Sequence, residues 1–259
     1  MPGLRASGAA GSIDHAADAD LPLRFRLGSI TTALDRLEMS QTNAVSSIGG
    51  AARRTAQRLK TVLAESGLPA ERLTKPAKPS AGLGGPFVPM KLDPKASPFE
   101  AEVARLQDEM LAADSLRRVL PYLPLRKPLP KIESTSGFGA RPDPFLGRMA
   151  MHTGLDMRDA YGSIVHATAA GVVESAGYNG GYGNMVDIDH GNGVVTRYAH
   201  LSGILVQEGQ TIRVGEPIGK LGSSGRSTGP HLHYEVRIND EPVDPTRFLK
   251  AGAKLFGQD

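Results

Sequence analysis

The 259-residue sequence contains no cysteine and no tryptophan, and aromatic residues make up only 5% of it. Without cysteine, a metal site must be built from histidine, aspartate or glutamate, and disulfides give no information on the compartment. Strong charge is also absent, since 30 basic and 27 acidic residues leave a net charge of +3. Because no basic cluster carries interleaved aromatics, the sequence argues against nucleic acid as a partner, although mild basicity suits an anionic polymer.

Long apolar runs are missing as well. No stretch of 18 or more apolar residues exists, so we expect no membrane segment in this chain. Residues 1–23 lack the apolar core of a secretory signal and are expected to form a flexible tail. The protein therefore either stays inside the cell or begins after a removed targeting segment or membrane anchor.

The N-terminal half contains two predicted helices. Apolar residues of the first recur at spacings of three and four, at Leu27, Ile30, Leu34 and Leu37. This pattern predicts a long amphipathic helix over 24–66, followed by a Pro/Gly-rich linker over 67–98 and a second helix over 99–120. The helices could pair as a hairpin, form a coiled coil or lie on the C-terminal domain, and their role could be that of a spacer or a regulator.

The C-terminal half has a different sequence pattern, in which short apolar runs are separated by Gly and Asn. Alternation of apolar and polar residues over 185–188, 194–198 and 232–238 predicts short antiparallel strands. We therefore expect an all-β domain over 126–250 and a C-terminal tail over 251–259. The predicted fold class is α+β, with long N-terminal helices before an antiparallel β domain.

Six of the seven histidines lie in this β domain, namely His152, His166, His190, His200, His231 and His233. His231 and His233 are two residues apart on a strand and share a face, so that one can bind a metal beside the other. His152 and Asp156 can meet at one ion if the chain turns at Gly154, and both are good zinc ligands. Each pattern alone also recurs by chance. His190 is expected to be a hairpin-turn residue.

The combination of these elements resembles the lysostaphin-like (LytM-type) zinc endopeptidases, which share the duplicated hybrid motif fold and act on peptidoglycan. The segments that carry the resemblance are SGFGARPDPF, HTGLD, GYGNMVDIDHGNGVVTRYAHL and GSSGRSTGPHLHYEV, at 136–145, 152–156, 181–201 and 222–236. They agree in identity, order and spacing. The resemblance covers about 131–250 and does not extend to the N-terminal helices.

This resemblance implies a ligand set and a catalytic pair. One zinc ion per chain is expected on His152, Asp156 and His233, with His200 and His231 as the catalytic residues. Three protein ligands leave one position of a tetrahedral zinc open, as in catalytic rather than structural sites. All five positions are filled in this sequence, which favours an enzyme over relatives that have lost ligands.

Two further residues inside the matching segments, Asn184 and Arg141, are predicted to hydrogen-bond substrate. Asn184 could instead be a turn residue after Gly183, and Arg141 could form an ion pair with Asp143 or another carboxylate. The sequence leaves these alternatives open.

The implied function is a zinc-dependent endopeptidase that cuts peptidoglycan cross-links. Family members cut either glycine bridges or the direct bond between D-alanine and a diamino acid. Long preceding helices resemble envelope-anchored members of Gram-negative bacteria, which favours a D,D-endopeptidase in the periplasm or cell envelope. The alternative is a LytM-like regulator that activates another cell wall hydrolase. The helices could cover the active site, self-associate or bind an envelope regulatory protein.

Overall fold

The computed structural model describes residues 23–67, 97–144 and 146–257. Helix α1 spans Leu23–Ser66 and helix α2 spans Pro98–Val119, followed by a single 3₁₀ turn. Both predicted helices are thus present, each beginning one residue earlier than expected. No described helix is long and apolar enough to cross a membrane.

Nearly all of the predicted N-terminal tail and of the predicted linker lies outside the described residues. The described residues form two compact units, of which the first contains α1 up to Gly50 and α2 up to Gln107. In this unit, Ser46 Oγ donates to Glu102 Oε1 at 2.7 Å and joins the two helices. Apolar side chains on the part of α1 up to Gly50 remain more than half exposed, namely Leu27, Ile30, Leu34, Leu37 and Ile48.

The second unit contains the remaining halves of both helices together with the β domain. Here the helices contribute buried apolar residues to the same core as the strands, namely Ala56, Leu59, Val62, Leu63, Ala113 and Leu116. A third helix, α3 (Pro245–Phe256), ends the domain. Arg58 Nη2 donates to the carbonyl oxygens of Lys254 at 2.8 Å and Leu255 at 3.3 Å. A cation therefore lies at the negative end of the α3 dipole.

The predicted all-β domain and C-terminal tail need one correction, because residues 251–256 belong to α3. Asp244 caps this helix by accepting a hydrogen bond from the Thr246 amide at 2.9 Å, and Pro245 occupies its first turn. Gly252 packs so closely against the segment before the first strand that an added Cβ would lie 1.7 Å from the Leu125 carbonyl oxygen. The helix is therefore an integral part of the domain.

The described residues of the β domain contain twelve strands. They are β1 (Glu133–Ser136), β2 (Gly139–Pro142), β3 (Met149–His152), β4 (Leu155–Arg158), β5 (Ile164–His166), β6 (Gly171–Asn179), β7 (Gly183–Asp189), β8 (Val194–Ile204), β9 (Thr211–Ile212), β10 (Pro217–Leu221), β11 (Leu232–Ile238) and β12 (Glu241–Val243). The main sheet has the order β1-β4-β11-β8-β7-β6-β9, with β10 pairing β5 and β8, and β12 pairing β11. All these pairs are antiparallel, and β2 with β3 forms a separate ribbon, so the predicted strand-rich fold is confirmed.

Strand β11 lies in the interior of the sheet and separates the core from the site. Its residues Leu232, Tyr234 and Val236 are fully buried in the apolar core. The intervening residues His233 and Glu235 share the opposite face, because side chains alternate along a strand. Two neighbouring strands, β4 and β8, flank this face.

Candidate metal centre

Three strands bring the predicted ligands together. Asp156 on β4 lies directly opposite His233 on β11, and His152 is the last residue of β3. The chain then turns through Gly154, where an added Cβ would lie 2.6 Å from the Tyr234 carbonyl oxygen and 2.7 Å from His233 Cε1. Only glycine fits there, so the turn between the ligands depends on this residue.

The three donor atoms form a small triangle. Asp156 Oδ1 lies 3.0 Å from His152 Nε2 and 2.8 Å from His233 Nδ1, and the two nitrogens are 3.2 Å apart. Ligand atoms around a tetrahedral zinc are about 3.3 Å apart when each bond is about 2.0–2.1 Å. The side chains are buried, and the arrangement fits two imidazoles and a carboxylate on a single ion.

The charges of this triangle also suit a cation. Burial would raise the pKa of Asp156, but hydrogen bonds with His152 and His233 outweigh it and hold the pKa well below its usual range. Burial would lower the pKa of His233, but contacts with Asp156 and Glu235 outweigh it and raise the pKa. Asp156 is therefore ionised, and a metal ion would take the place of the proton that His233 shares with it.

Each ligand has an orienting partner outside the triangle. His152 Nδ1 donates to the Gly137 carbonyl oxygen at 2.6 Å, and His233 Nε2 lies 3.0 Å from Glu235 Oε1. Asp156 Oδ2 accepts from Arg141 Nη2 at 3.3 Å. These bonds leave the inner nitrogens of both imidazoles and one carboxylate oxygen for the metal, as is usual in zinc sites.

His200 and His231 lie beside the triangle, with ring centroids 4.8 Å apart. His200 Nδ1 donates to the Ser224 carbonyl oxygen at 2.8 Å, and His231 Nδ1 donates to the Gly229 carbonyl oxygen at 2.8 Å. In both rings this leaves Nε2 as the nitrogen available to a reactant. His231 Nε2 is 3.9 Å from Asp156 Oδ1, so the pair borders the metal position.

His200 is held in an unusual state. Its φ of 61° lies in the left-handed region, which is uncommon for a residue other than glycine and is found often at functional sites. Burial lowers its pKa to about 4, against the opposing effect of the Ser224 hydrogen bond. The imidazole is thus neutral at pH 7 and can accept a proton at Nε2.

All five predicted metal and catalytic residues line one cavity of about 870 Å³. Arg141 also lines it, paired with Asp156 rather than with Asp143, which binds Arg226 Nη2 at 2.6 Å. Asn184 is not one of the described residues that line the cavity. Its side-chain amide donates to the Leu201 carbonyl oxygen at 3.1 Å. Substrate binding by Arg141 and Asn184 stays a prediction.

Sequence reasoning missed several residues of the site. Tyr182 and Thr153 line the cavity, and both donate to Glu235 Oε1, at 2.9 Å and 2.6 Å. The strand alternation that pairs His231 with His233 would also have pointed to Glu235, two residues further on. Nothing in the spacing of Tyr182 predicts its contact with that carboxylate.

Comparison with known proteins agrees with this geometry. Residues 150–245 match peptidase family M23. The DD-carboxypeptidase/endopeptidase Mpg of Neisseria meningitidis serogroup B is 52% identical over 119 residues, which cover 46% of this chain and 27% of that protein. The peptidoglycan DD-endopeptidase ShyB of Vibrio cholerae serotype O1 is 40% identical over 149 residues, covering 57% of this chain and 34% of that protein.

Among solved structures, the catalytic domain of lysostaphin from Staphylococcus simulans is similar, with 33% identity and a TM-score of 0.43. The match covers 46% of this chain and 92% of that one. The chain spans about a third or less of the length of the two curated relatives. The resemblance seen in the sequence is confirmed by the match of residues 150–245 to peptidase family M23.

Proposed function

We propose that this protein is a zinc-dependent endopeptidase that hydrolyses amide bonds in peptidoglycan cross-links. The observation that carries the proposal is the convergence of three buried ligands, His152, Asp156 and His233, beside two histidines in one cavity. The family match supports a peptidase, and the name of the Vibrio relative, a peptidoglycan DD-endopeptidase, supports the substrate.

The favoured bond is the direct cross-link between D-alanine and a diamino acid, which makes the protein a D,D-endopeptidase. This choice rests on the activities after which the Neisseria and Vibrio relatives are named. Since peptidoglycan lies in the cell envelope, the proposed location is the periplasm or another part of the cell envelope.

The roles of the chain's own residues follow from the geometry. His152, Asp156 and His233 would hold one zinc ion per chain. When bound, zinc acts as a Lewis acid that polarises the substrate carbonyl and makes water nucleophilic at neutral pH. His200 and His231 would orient the water, hydrogen-bond the oxyanion that develops on the carbonyl and carry a proton to the leaving amine.

Both catalytic histidines are prepared for these roles by their carbonyl contacts. Because Nδ1 of each ring donates to a main-chain oxygen, the ring cannot rotate without losing that bond. Neutral His200 then carries its lone pair on Nε2, where it can accept a proton. Arg141 has further N–H groups beyond the one that binds Asp156, and we propose that these meet a substrate oxygen.

The proposal is tested with purified, cross-linked peptidoglycan incubated with the full chain, and with mass spectrometry of the soluble products. We expect products that correspond to hydrolysis of the cross-link, and their loss with a zinc chelator or in His200→Ala. A chain that holds stoichiometric zinc yet releases no product would contradict the enzyme. Stimulation of another wall hydrolase by that chain would instead identify a regulator.

The N-terminal helices are proposed to mediate self-association. The exposed apolar residues of α1 recur at alternating spacings of three and four, which is the heptad pattern of a coiled coil. Light scattering on the full chain should give a dimer. Ile30→Lys, within the apolar stripe, should give a monomer, whereas Thr32→Lys, outside it, should remain dimeric. A wild-type monomer would favour an envelope regulatory protein as the partner of this face.

Autoinhibition by the helical arm stays a prediction. It is tested by comparing cleavage by the full chain with cleavage by a chain that begins near residue 126, after thermal unfolding has shown that the shorter chain is folded. Faster cleavage by the shorter chain is the expected result, and equal rates would exclude a restraining arm.

A further inference from the structure

The side chain of Glu235 is a fully buried carboxylate with donors on both oxygens. Its Oε1 is approached by three groups, namely Thr153 Oγ1 at 2.6 Å, Tyr182 Oη at 2.9 Å and His233 Nε2 at 3.0 Å. Its Oε2 accepts from Arg237 Nη1 at 2.6 Å. One carboxylate therefore meets four hydrogen-bond donors without contact with bulk water.

The two oxygens of Glu235 serve different surroundings. Arg237 supplies the positive charge that a buried carboxylate requires. The three donors on Oε1 all belong to the metal centre, because Thr153 follows the ligand His152, Tyr182 lines the cavity, and His233 is itself a ligand. An ion pair that served only to stabilise the sheet would not need this second set of donors.

We propose that Glu235 is a positioning residue that fixes His233 for metal binding and Tyr182 as a wall of the cavity. A neutral imidazole carries one N–H and one lone pair, and the acceptor beside one nitrogen decides which is which. Since Oε1 accepts the proton of His233 Nε2, Nδ1 is the nitrogen whose lone pair is left for a metal. Nδ1 is the atom that lies 2.8 Å from Asp156 Oδ1, at the corner of the ligand triangle.

Tyr182 connects the same carboxylate to the space where substrate would bind. Its ring centroid is 5.8 Å from that of His233, and the Arg197 guanidinium lies 4.5 Å from the centroid of the Tyr182 ring. Arg197 is in turn held by both oxygens of Asp187, at 2.9 Å and 2.7 Å. The phenol is thus fixed by Glu235 at its hydroxyl and by Arg197 at its ring.

The decisive variant is Glu235→Gln, which keeps the size of the side chain. A glutamine has one oxygen and one NH₂ group, so it must present its donors either to Arg237 or to the three donors of the metal centre. In both orientations a donor faces a donor, and the group beside His233 no longer carries a negative charge. We expect zinc to bind about 10–100-fold more weakly, the range typical for loss of an outer partner of a ligand.

Two controls separate this effect from general damage. Tyr182→Phe removes the phenol bond but leaves the His233 contact, so zinc affinity should stay within about twofold while KM for substrate rises. Asp187→Asn removes another buried carboxylate that is paired with an arginine and does not bind a ligand residue. It should lower the melting temperature without weakening zinc binding.

The measurement is competition for zinc between a chromophoric chelator and the full chain, for the wild type and the three variants. This inference rests on the metal site of the proposed function, and the two fail differently. A wild-type chain that does not bind zinc would overturn the proposed function. Equal zinc affinity in the wild type and Glu235→Gln would overturn the role of Glu235 alone.

A second readout does not depend on a folded variant. In ¹⁵N-histidine NMR spectra of the zinc-loaded wild type, His233 should show a protonated Nε2 and a metal-shifted Nδ1. The Nε2 proton should exchange slowly with water, because its acceptor is buried. Metal coordination through Nε2 would overturn the inference even if Glu235→Gln fails to fold.

Discussion

Acid should destabilise the metal-free domain through a buried histidine that takes no part in the site. His190 follows β7 and is almost completely buried. Its Nδ1 donates to the Ala170 carbonyl oxygen at 2.7 Å, and its Nε2 lies 2.8 Å from Thr196 Oγ1. The sequence predicted a simple turn residue here, whereas the side chain joins three segments of the sheet.

The size of the effect follows from the two protonation states. Burial lowers the pKa of His190 from 6.5 to about 4, against the opposing Ala170 contact. In the unfolded chain the imidazole takes up a proton near pH 6.5, but in the folded protein it does so only near pH 4. The contribution of His190 to the free energy of unfolding is therefore lost as the pH falls from 6.5 to 4, and this contribution does not change further at lower pH. The difference between the two pKa values corresponds to about 3 kcal/mol.

Urea unfolding of the full chain with excess chelator, at pH 7 and pH 4.5, measures this loss. His200 also has a lowered pKa and titrates in the same range, so the comparison must be made with His190→Gln, whose side chain cannot be protonated. We expect the variant to lose about 2–3 kcal/mol less than the wild type between the two pH values. Equal losses would show that the pKa of His190 is the same in the folded and unfolded states and would refute the reasoning.

Three further predictions concern the site. His233→Ala should abolish stoichiometric zinc in metal analysis, because two protein ligands rarely hold a catalytic zinc, and full zinc content would disprove the ligand set. His200→Ala should keep its zinc but lose a factor of about 100–10,000 in kcat. The control His166→Ala, outside the cavity, should change neither zinc content nor kcat. Near-normal turnover in His200→Ala would show that His200 is structural. Gly154→Ala should lower zinc affinity and destabilise the fold by about 1–3 kcal/mol, because the added Cβ would collide with the Tyr234 carbonyl oxygen and the His233 ring. An unchanged melting curve would contradict that packing.

The strands and the main ligands were predictable because their signals are local. Alternation over 232–238 corresponds to β11, and the apolar spacing from Leu27 corresponds to α1. The motif around His152 and Asp156 could be recognised because its residues are close in sequence and need only one turn to converge. The structure then brings them to His233 through the pairing of β4 with β11.

Other features could not be predicted from single motifs. Residues 251–256 are predicted as a tail but form the end of α3, although Asp244 before Pro245 and Gly257 after the last turn are ordinary helix signals. Its contacts are with residues far away in sequence, such as Arg58 and Leu125. The same applies to Glu235, whose partners Thr153 and Tyr182 come from other segments of the fold and meet only once the sheet has formed.

The most direct test of the central claim is a zinc titration of the metal-free full chain, with cleavage of a purified D-alanine–diamino acid cross-linked peptide dimer followed by mass spectrometry. The account predicts that cleavage rises in proportion to added zinc and reaches its maximum at one equivalent per chain, with two peptide monomers as products. Cleavage that does not depend on zinc, or an absence of cleavage after one equivalent has bound, would contradict it.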